Sequence, residues 1–124
     1  MDRHILIVDD DGDVLEIFML TVEELGYRVS IARGGAEMRR FLAGSDPVDA
    51  VILDCQMPGE TSIDLALHAK SLNLPVVMTS GSLDAIEHAD LLKLQLLQKP
   101  FTMLQLAKAI DLAFSSHAFG QRDA

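Results

Sequence analysis

The sequence predicts an α/β domain in which a parallel sheet of five short strands is covered by helices on both faces. Two observations carry that expectation. Five short strand-like segments, three of them unbroken apolar runs, alternate with segments of helical character. Acids, hydroxyls and a lysine collect just after those runs rather than within them. Strands buried on both faces read as continuous apolar sequence, which is how a parallel sheet between two helical layers is written.

Ile5-Leu6-Ile7-Val8 is the first run, and Asp9-Asp10-Asp11 ends it. Leu15, Phe18, Val22 and Leu25 follow at helical spacing, and Gly26 supplies the stop. Tyr27 to Ile31 is the second strand, and Ala36 to Leu42 a short helix closed by Gly44-Ser45-Asp46-Pro47. Ala50-Val51-Ile52-Leu53 is the third strand. It ends at Asp54, and Met57-Pro58-Gly59 turns the chain into a helix over Ile63 to Leu72. Pro75 opens the fourth strand, Val76-Val77-Met78, which ends at Thr79-Ser80-Gly81. A helix over Leu83 to Leu92 leads to a fifth strand, Leu94 to Gln98, at the sheet edge, and then to Lys99-Pro100. Thr102 and Gln105 have capping-box spacing at the start of a last helix, whose inner face is read as Met103, Ala107, Ile110 and Phe114. Beyond Ser116 the periodicity stops and the tail is expected to fray. Residues 1–124 read as one domain with an ordered core over about 3–116 and no repeat or linker.

Composition narrows the function classes. The chain has 124 residues, 49% of them apolar, which is enough for a real core. Its mean hydropathy of +0.24 agrees with strands buried on both faces. A formal charge of -9 argues against a nucleic-acid partner and suits a cation or a basic partner. The first apolar run has four residues, too few for a membrane span or a signal-peptide core. Cys55 is the single cysteine, so no intrachain disulfide exists. These features lead to the expectation of a cytoplasmic protein.

The strand ends carry the chemistry. The first strand delivers Asp9, Asp10 and Asp11, the third Asp54, the fourth Thr79 and Ser80, and the fifth Lys99. In an open parallel sheet the working site lies beyond the carboxyl ends of the strands. Clustered carboxylates stay ionised together only when a cation joins them. Hard oxygen ligands with few protein contacts suit Mg²⁺. A carboxylate can attack phosphorus to form an acyl phosphate, and a lysine can neutralise the oxygens of the transferring group.

Taken in order, Ile5-Leu6-Ile7-Val8-Asp9-Asp10-Asp11, Asp54 with Met57-Pro58-Gly59, Pro75 to Gly81 and Lys99-Pro100-Phe101 resemble the receiver domain of bacterial two-component response regulators, of the stand-alone chemotaxis type. The likeness runs to about Phe114. It implies a flavodoxin-like, doubly wound (βα)5 sandwich with strand order 2-1-3-4-5. It further implies Asp54 as phosphoacceptor and Mg²⁺ held by Asp9, Asp10, Asp54 and the backbone carbonyl of Gln56. Ser80 would be the switch hydroxyl, with Thr79 the weaker candidate, and Lys99 the phosphoryl contact before a cis proline. The partners implied are a sensor histidine kinase or phosphotransfer protein and a separate downstream effector protein. Such a chain is a phosphoacceptor and not an enzyme beyond its own phosphorylation and slow dephosphorylation. A homodimer through the fourth helix, fifth strand and last helix is a further expectation, with Leu94 and Leu96 as the partner surface.

The chain departs from the resemblance in four places. Leu96 stands where an aromatic residue is usual, Leu92-Lys93 where Gly-Ala is common, Ser62 where glycine is common, and Thr79 where most relatives are apolar. Leu96 is the best support for an alternative, a scaffold that keeps the fold without needing phosphorylation; the intact acids and lysine argue against it. A phosphatase reading ranks last, because Gln56 stands where a general acid would be required. Asp11 reads as a helix-start acid. Cys55 reads as packed and idle, Leu97 as core, and His4, His68, His88 and His117 as surface or edge residues without metal-ligand spacing.

Overall fold

The computed structural model describes residues 3–56, 61–81 and 95–122, with side chains described through Ser116. In chain order the elements are β1 (His4–Val8), α1 (Gly12–Glu24), β2 (Arg28–Ala32), α2 (Gly35–Ala43), β3 (Ala50–Asp54), α3 (Ser62–Ser71), β4 (Val76–Ser80), β5 (Gln95–Gln98) and α4 (Met103–Arg122). The strands form one sheet in the order β2-β1-β3-β4-β5, and every neighbouring pair is parallel. Fold class and strand order are those expected from the sequence. The Met57-Pro58-Gly59 turn, the helix over Leu83 to Leu92, and Leu94 lie outside the described residues.

The pleat divides the apolar runs between two cores. Ile5, Ile7, Ile52, Val77 and Leu97 pack with α1 and α4 on one face. Leu6, Val8, Val51, Leu53, Val76 and Met78 pack with α2 and α3 on the other. Both sides of β1, β3 and β4 are therefore buried, so these strands carry no polar alternation. Leu97 is 6% exposed, as expected of core. Leu106, fully buried on α4, joins the first core. Leu106→Ala is expected to destabilise the fold by about 2–5 kcal/mol through lost burial and a cavity. Urea unfolding checks this as a lowered midpoint at unchanged slope.

Helix ends follow local chemistry. The Asp11 carboxylate accepts from the Asp13 and Val14 amides and caps α1, in keeping with its helix-start reading. Gly26, with φ of 99°, takes the left-handed turn after α1 that side chains resist. Thr61 caps α3 by accepting from the Asp64 amide. Thr102 and Gln105 form the expected reciprocal capping box.

Several expectations need correction. β2 runs from Arg28 to Ala32, one residue later than predicted, because Gly26 completes the helix exit and the ladder begins at His4↔Arg28. The inner stripe of α4 is Leu106, Ala109, Ile110 and Ala113, while Met103 is 42% exposed. Of the expected stripe Ile110 is buried and Phe114 packs against the first core, while the small Ala109 and Ala113 complete the packed face. α4 continues to Arg122 past the predicted fraying point, since extending a helix costs far less than nucleating one. His4 is not at the surface. It is 1% exposed, with Nδ1 2.8 Å from the Pro47 carbonyl oxygen and Nε2 2.7 Å from the Ser30 hydroxyl. Both ring nitrogens are satisfied, which is what burial of an imidazole requires.

Candidate functional site

The carboxyl ends of β1, β3 and β5 bring Asp9, Asp10, Asp54 and Lys99 together. The Asp9 amide donates to the Ala32 carbonyl at 3.1 Å, extending the β1–β2 ladder one residue past Val8. The Asp11 amide then donates to Asp9 Oδ1 at 3.0 Å and turns the chain into α1. Carboxylate oxygens of Asp9, Asp10 and Asp54 lie within 4.8 Å of one another. Asp9 and Asp54 are buried, at 2% and 4% exposure, while Asp10 is exposed.

Lys99 reaches into this cluster, its Nζ 3.2 Å from Asp9 Oδ2 and 3.7 Å from Asp54 Oδ1. The Lys99 amide donates to the Ser80 carbonyl at 2.7 Å, which anchors the residue as β5 ends. The Lys99–Pro100 peptide bond is cis, as the resemblance implied. One lysine against three carboxylates leaves a negative excess, and this group of oxygens could hold a metal ion.

Burial pushes the Asp54 carboxyl above the usual carboxylate range. The Gln56 amide, which donates to Asp54 Oδ1 at 3.1 Å, opposes that shift. Asp9 and Asp10 reinforce it and Lys99 opposes it. Cys55 faces the second core, and burial, with Asp54 adding to it, pushes its thiol up to about 11. It is therefore a neutral thiol at ordinary pH, in line with the idle reading.

In the β3–β4 register Thr79 stands beside Asp54, and Ser80 lies one position further toward the rim. Both are 1% exposed. The Gln56 side chain lies near Gly81, its Oε1 3.8 Å from where a Cβ on that glycine would sit. Leu96 pairs with Met78 and packs partly buried against the second core. It thus contributes to the interior as well as to the edge.

Two residues at this rim escaped the sequence reading. Ser62, noted only as a departure, is 7% exposed. Its hydroxyl donates to the Asp54 backbone carbonyl at 2.9 Å. Arg33, just past β2, lays its guanidinium over Gly12; a Cβ there would meet Nη2 at 2.9 Å. No local pattern signals either contact.

The family model for the response regulator receiver domain matches residues 5–111. The response regulator SaeR of Staphylococcus epidermidis is 31% identical over 108 residues, covering 83% of this chain and 46% of that protein. SaeR of Staphylococcus aureus is 29% identical over 113 residues, covering 87% and 49%. The chain thus spans about half the length of these curated relatives. A response regulator receiver domain protein from Clostridium thermocellum superposes with a TM-score of 0.84 at 27% identity, covering 94% of this chain and 98% of that one.

Proposed function

The chain belongs to the response regulator receiver domain family, and from that premise we propose that it accepts a phosphoryl group on Asp54 in a Mg²⁺-dependent reaction. The donor is a phosphohistidine on a sensor histidine kinase or phosphotransfer protein, and the signal passes to an effector protein. The observation that carries the reading is the convergence of Asp9, Asp10 and Asp54 within 4.8 Å, with Lys99 bridging two of them.

Each residue has a role that its chemistry supports. An Asp54 carboxylate oxygen attacks phosphorus; the new O–P bond forms as the N–P bond of the phosphohistidine breaks. The electron pair returns to the imidazole nitrogen. Asp9, Asp10, Asp54 and the Gln56 backbone carbonyl would hold the Mg²⁺, which when bound neutralises charge on the transferring oxygens. Lys99, already between Asp9 and Asp54, pairs with the phosphoryl oxygens. Ser80 donates to the product, because it stands one step beyond Asp54 toward the rim, at the height an added group would occupy. The chain catalyses only its own phosphorylation and slow dephosphorylation.

A surface for the donor protein follows from the apolar groove beside the site. Val14, Ile17, Phe18, Phe101 and Met103 line a cavity of about 300 Å³ between α1 and the start of α4. Ile17 is 68% exposed and Met103 42%, so the groove presents apolar surface to solvent. Ile17→Glu is expected to slow transfer from a kinase roughly tenfold or more, the scale of a central interface contact. Transfer from acetyl phosphate should not change; equal slowing from both donors would count against this surface. A homodimer through the expected fourth helix, β5 and the last helix, with Leu94 and Leu96 as partner surface, is a separate part of the proposal, and light scattering with and without beryllofluoride tests it. Mg²⁺-dependent labelling by acetyl phosphate tests the function itself. Uptake that ignores chelation of Mg²⁺ would contradict it.

A further inference from the structure

We propose that Ser62 is a positioning residue for the phosphoacceptor: by holding the Asp54 carbonyl, its hydroxyl fixes the peptide that aims the Asp54 carboxylate. The inference rests on the reading of Asp54 as acceptor.

The peptide between Asp54 and Cys55 is gripped from two sides. Its carbonyl accepts from Ser62 Oγ at 2.9 Å, reaching back from the first residue of α3. Its N–H donates to the Thr79 carbonyl on β4 at 2.8 Å. With both polar groups engaged by different elements, the peptide plane cannot rotate without breaking a buried bond. The next amide, Gln56, donates to Asp54 Oδ1 at 3.1 Å. The carboxylate is therefore tied to a backbone whose orientation Ser62 helps set. That backbone also carries the Gln56 carbonyl offered to the cation, so one hydroxyl bears on two of the proposed ligands.

The alternative role is structural. Ser62 is 7% exposed and could simply join α3 to β3. The two roles differ in what moves. A joint alone, once lost, loosens the fold as a whole or not at all. A positioning bond, once lost, frees the 54–56 backbone selectively and weakens cation binding in protein that is still folded. A glycine or alanine at position 62 offers no donor, whereas threonine keeps the hydroxyl.

The test uses Ser62→Ala and Ser62→Thr beside the parent chain, all at a temperature where each is folded. Amide hydrogen exchange and Mg²⁺ titration by calorimetry are the readouts. Ser62→Ala is expected to speed exchange of the Gln56 amide and to raise the Mg²⁺ Kd, each by roughly three- to tenfold, the scale of one hydrogen bond. Core amides such as Ile7 and Ile52 should not change, and Ser62→Thr should restore both values. Parent-like Mg²⁺ affinity and Gln56 exchange in Ser62→Ala would overturn the proposal. So would equal acceleration at Ile7 and Ile52. If Ser62→Ala does not fold, Ser62→Cys, a weaker donor, should still speed Gln56 exchange and raise the Mg²⁺ Kd relative to the parent; parent-like values there overturn the proposal too. A parent chain that binds no Mg²⁺ would sink the acceptor reading instead, and Gln56 exchange would still judge Ser62.

Discussion

Asp54→Asn is expected to abolish phosphoryl uptake from acetyl phosphate and from a cognate kinase alike. The amide is isosteric, so the fold is kept while the nucleophilic oxygen is lost. The same substitution should change how stability responds to pH. Burial, with Asp9 and Asp10 adding to it, holds the Asp54 carboxyl above its ordinary value of 3.8, against the pull of the Gln56 amide and Lys99. The folded state then binds this proton more tightly than the unfolded chain. Stability from this group is present at low pH and declines as pH rises from about 3.8 through the raised folded value. Asp54→Asn removes that decline, so without Mg²⁺ it should melt above the parent chain at neutral pH. Saturating Mg²⁺ should narrow the gap by stabilising the parent, by about 2.7 kcal/mol at a hundred times its Kd. Thermal melts of both chains with EDTA and with Mg²⁺ check the sign. A parent chain that gains nothing from Mg²⁺ would count against the cation site.

Lys99→Ala is expected to produce the second large effect. Lys99 is the cation that the structure sets against both buried acids, at 3.2 and 3.7 Å. Its removal takes a charge donor from the transferring group, a loss of the order of a hundredfold in rate. It also leaves Asp9 and Asp54 less compensated, so the Mg²⁺-free variant should melt lower at neutral pH. The side chain is 30% exposed, so screening by water makes that loss smaller than for a sealed pair. Initial labelling rates at matched Mg²⁺ separate this from Asp54→Asn: Lys99→Ala labels slowly, Asp54→Asn never. A Lys99→Ala variant labelling at the parent rate would remove Lys99 from the mechanism.

The fold was legible in the sequence because a buried parallel sheet writes itself as unbroken apolar runs. Ile5 to Val8 and Ala50 to Leu53 face cores on both sides and contain no polar residue to blur them. The acids, hydroxyls and lysine were legible for the same reason, since each follows a run that fixes its height in the sheet. What escaped depends on partners distant in the chain or on the backbone. The ring of His4 is satisfied by Ser30 and Pro47, 26 and 43 residues away, which no local pattern announces. Ser62 acts through a main-chain carbonyl, and carbonyls leave no trace in a sequence. On α4 the expected Ile110 is buried and Phe114 packs against the first core, whereas Met103 is exposed. There the small side chains of Ala109 and Ala113 let the helix approach.

In the proposed reaction Asp54, and no other residue, takes the phosphoryl group when Mg²⁺ is present. Borohydride reduction of the labelled protein tests it most directly, because it converts an aspartyl phosphate to homoserine, which peptide mass spectrometry can locate. Homoserine is expected at position 54 alone, and none when EDTA replaces Mg²⁺. Homoserine at Asp9 or Asp10, or a label that resists reduction and sits on a histidine or serine, would contradict it.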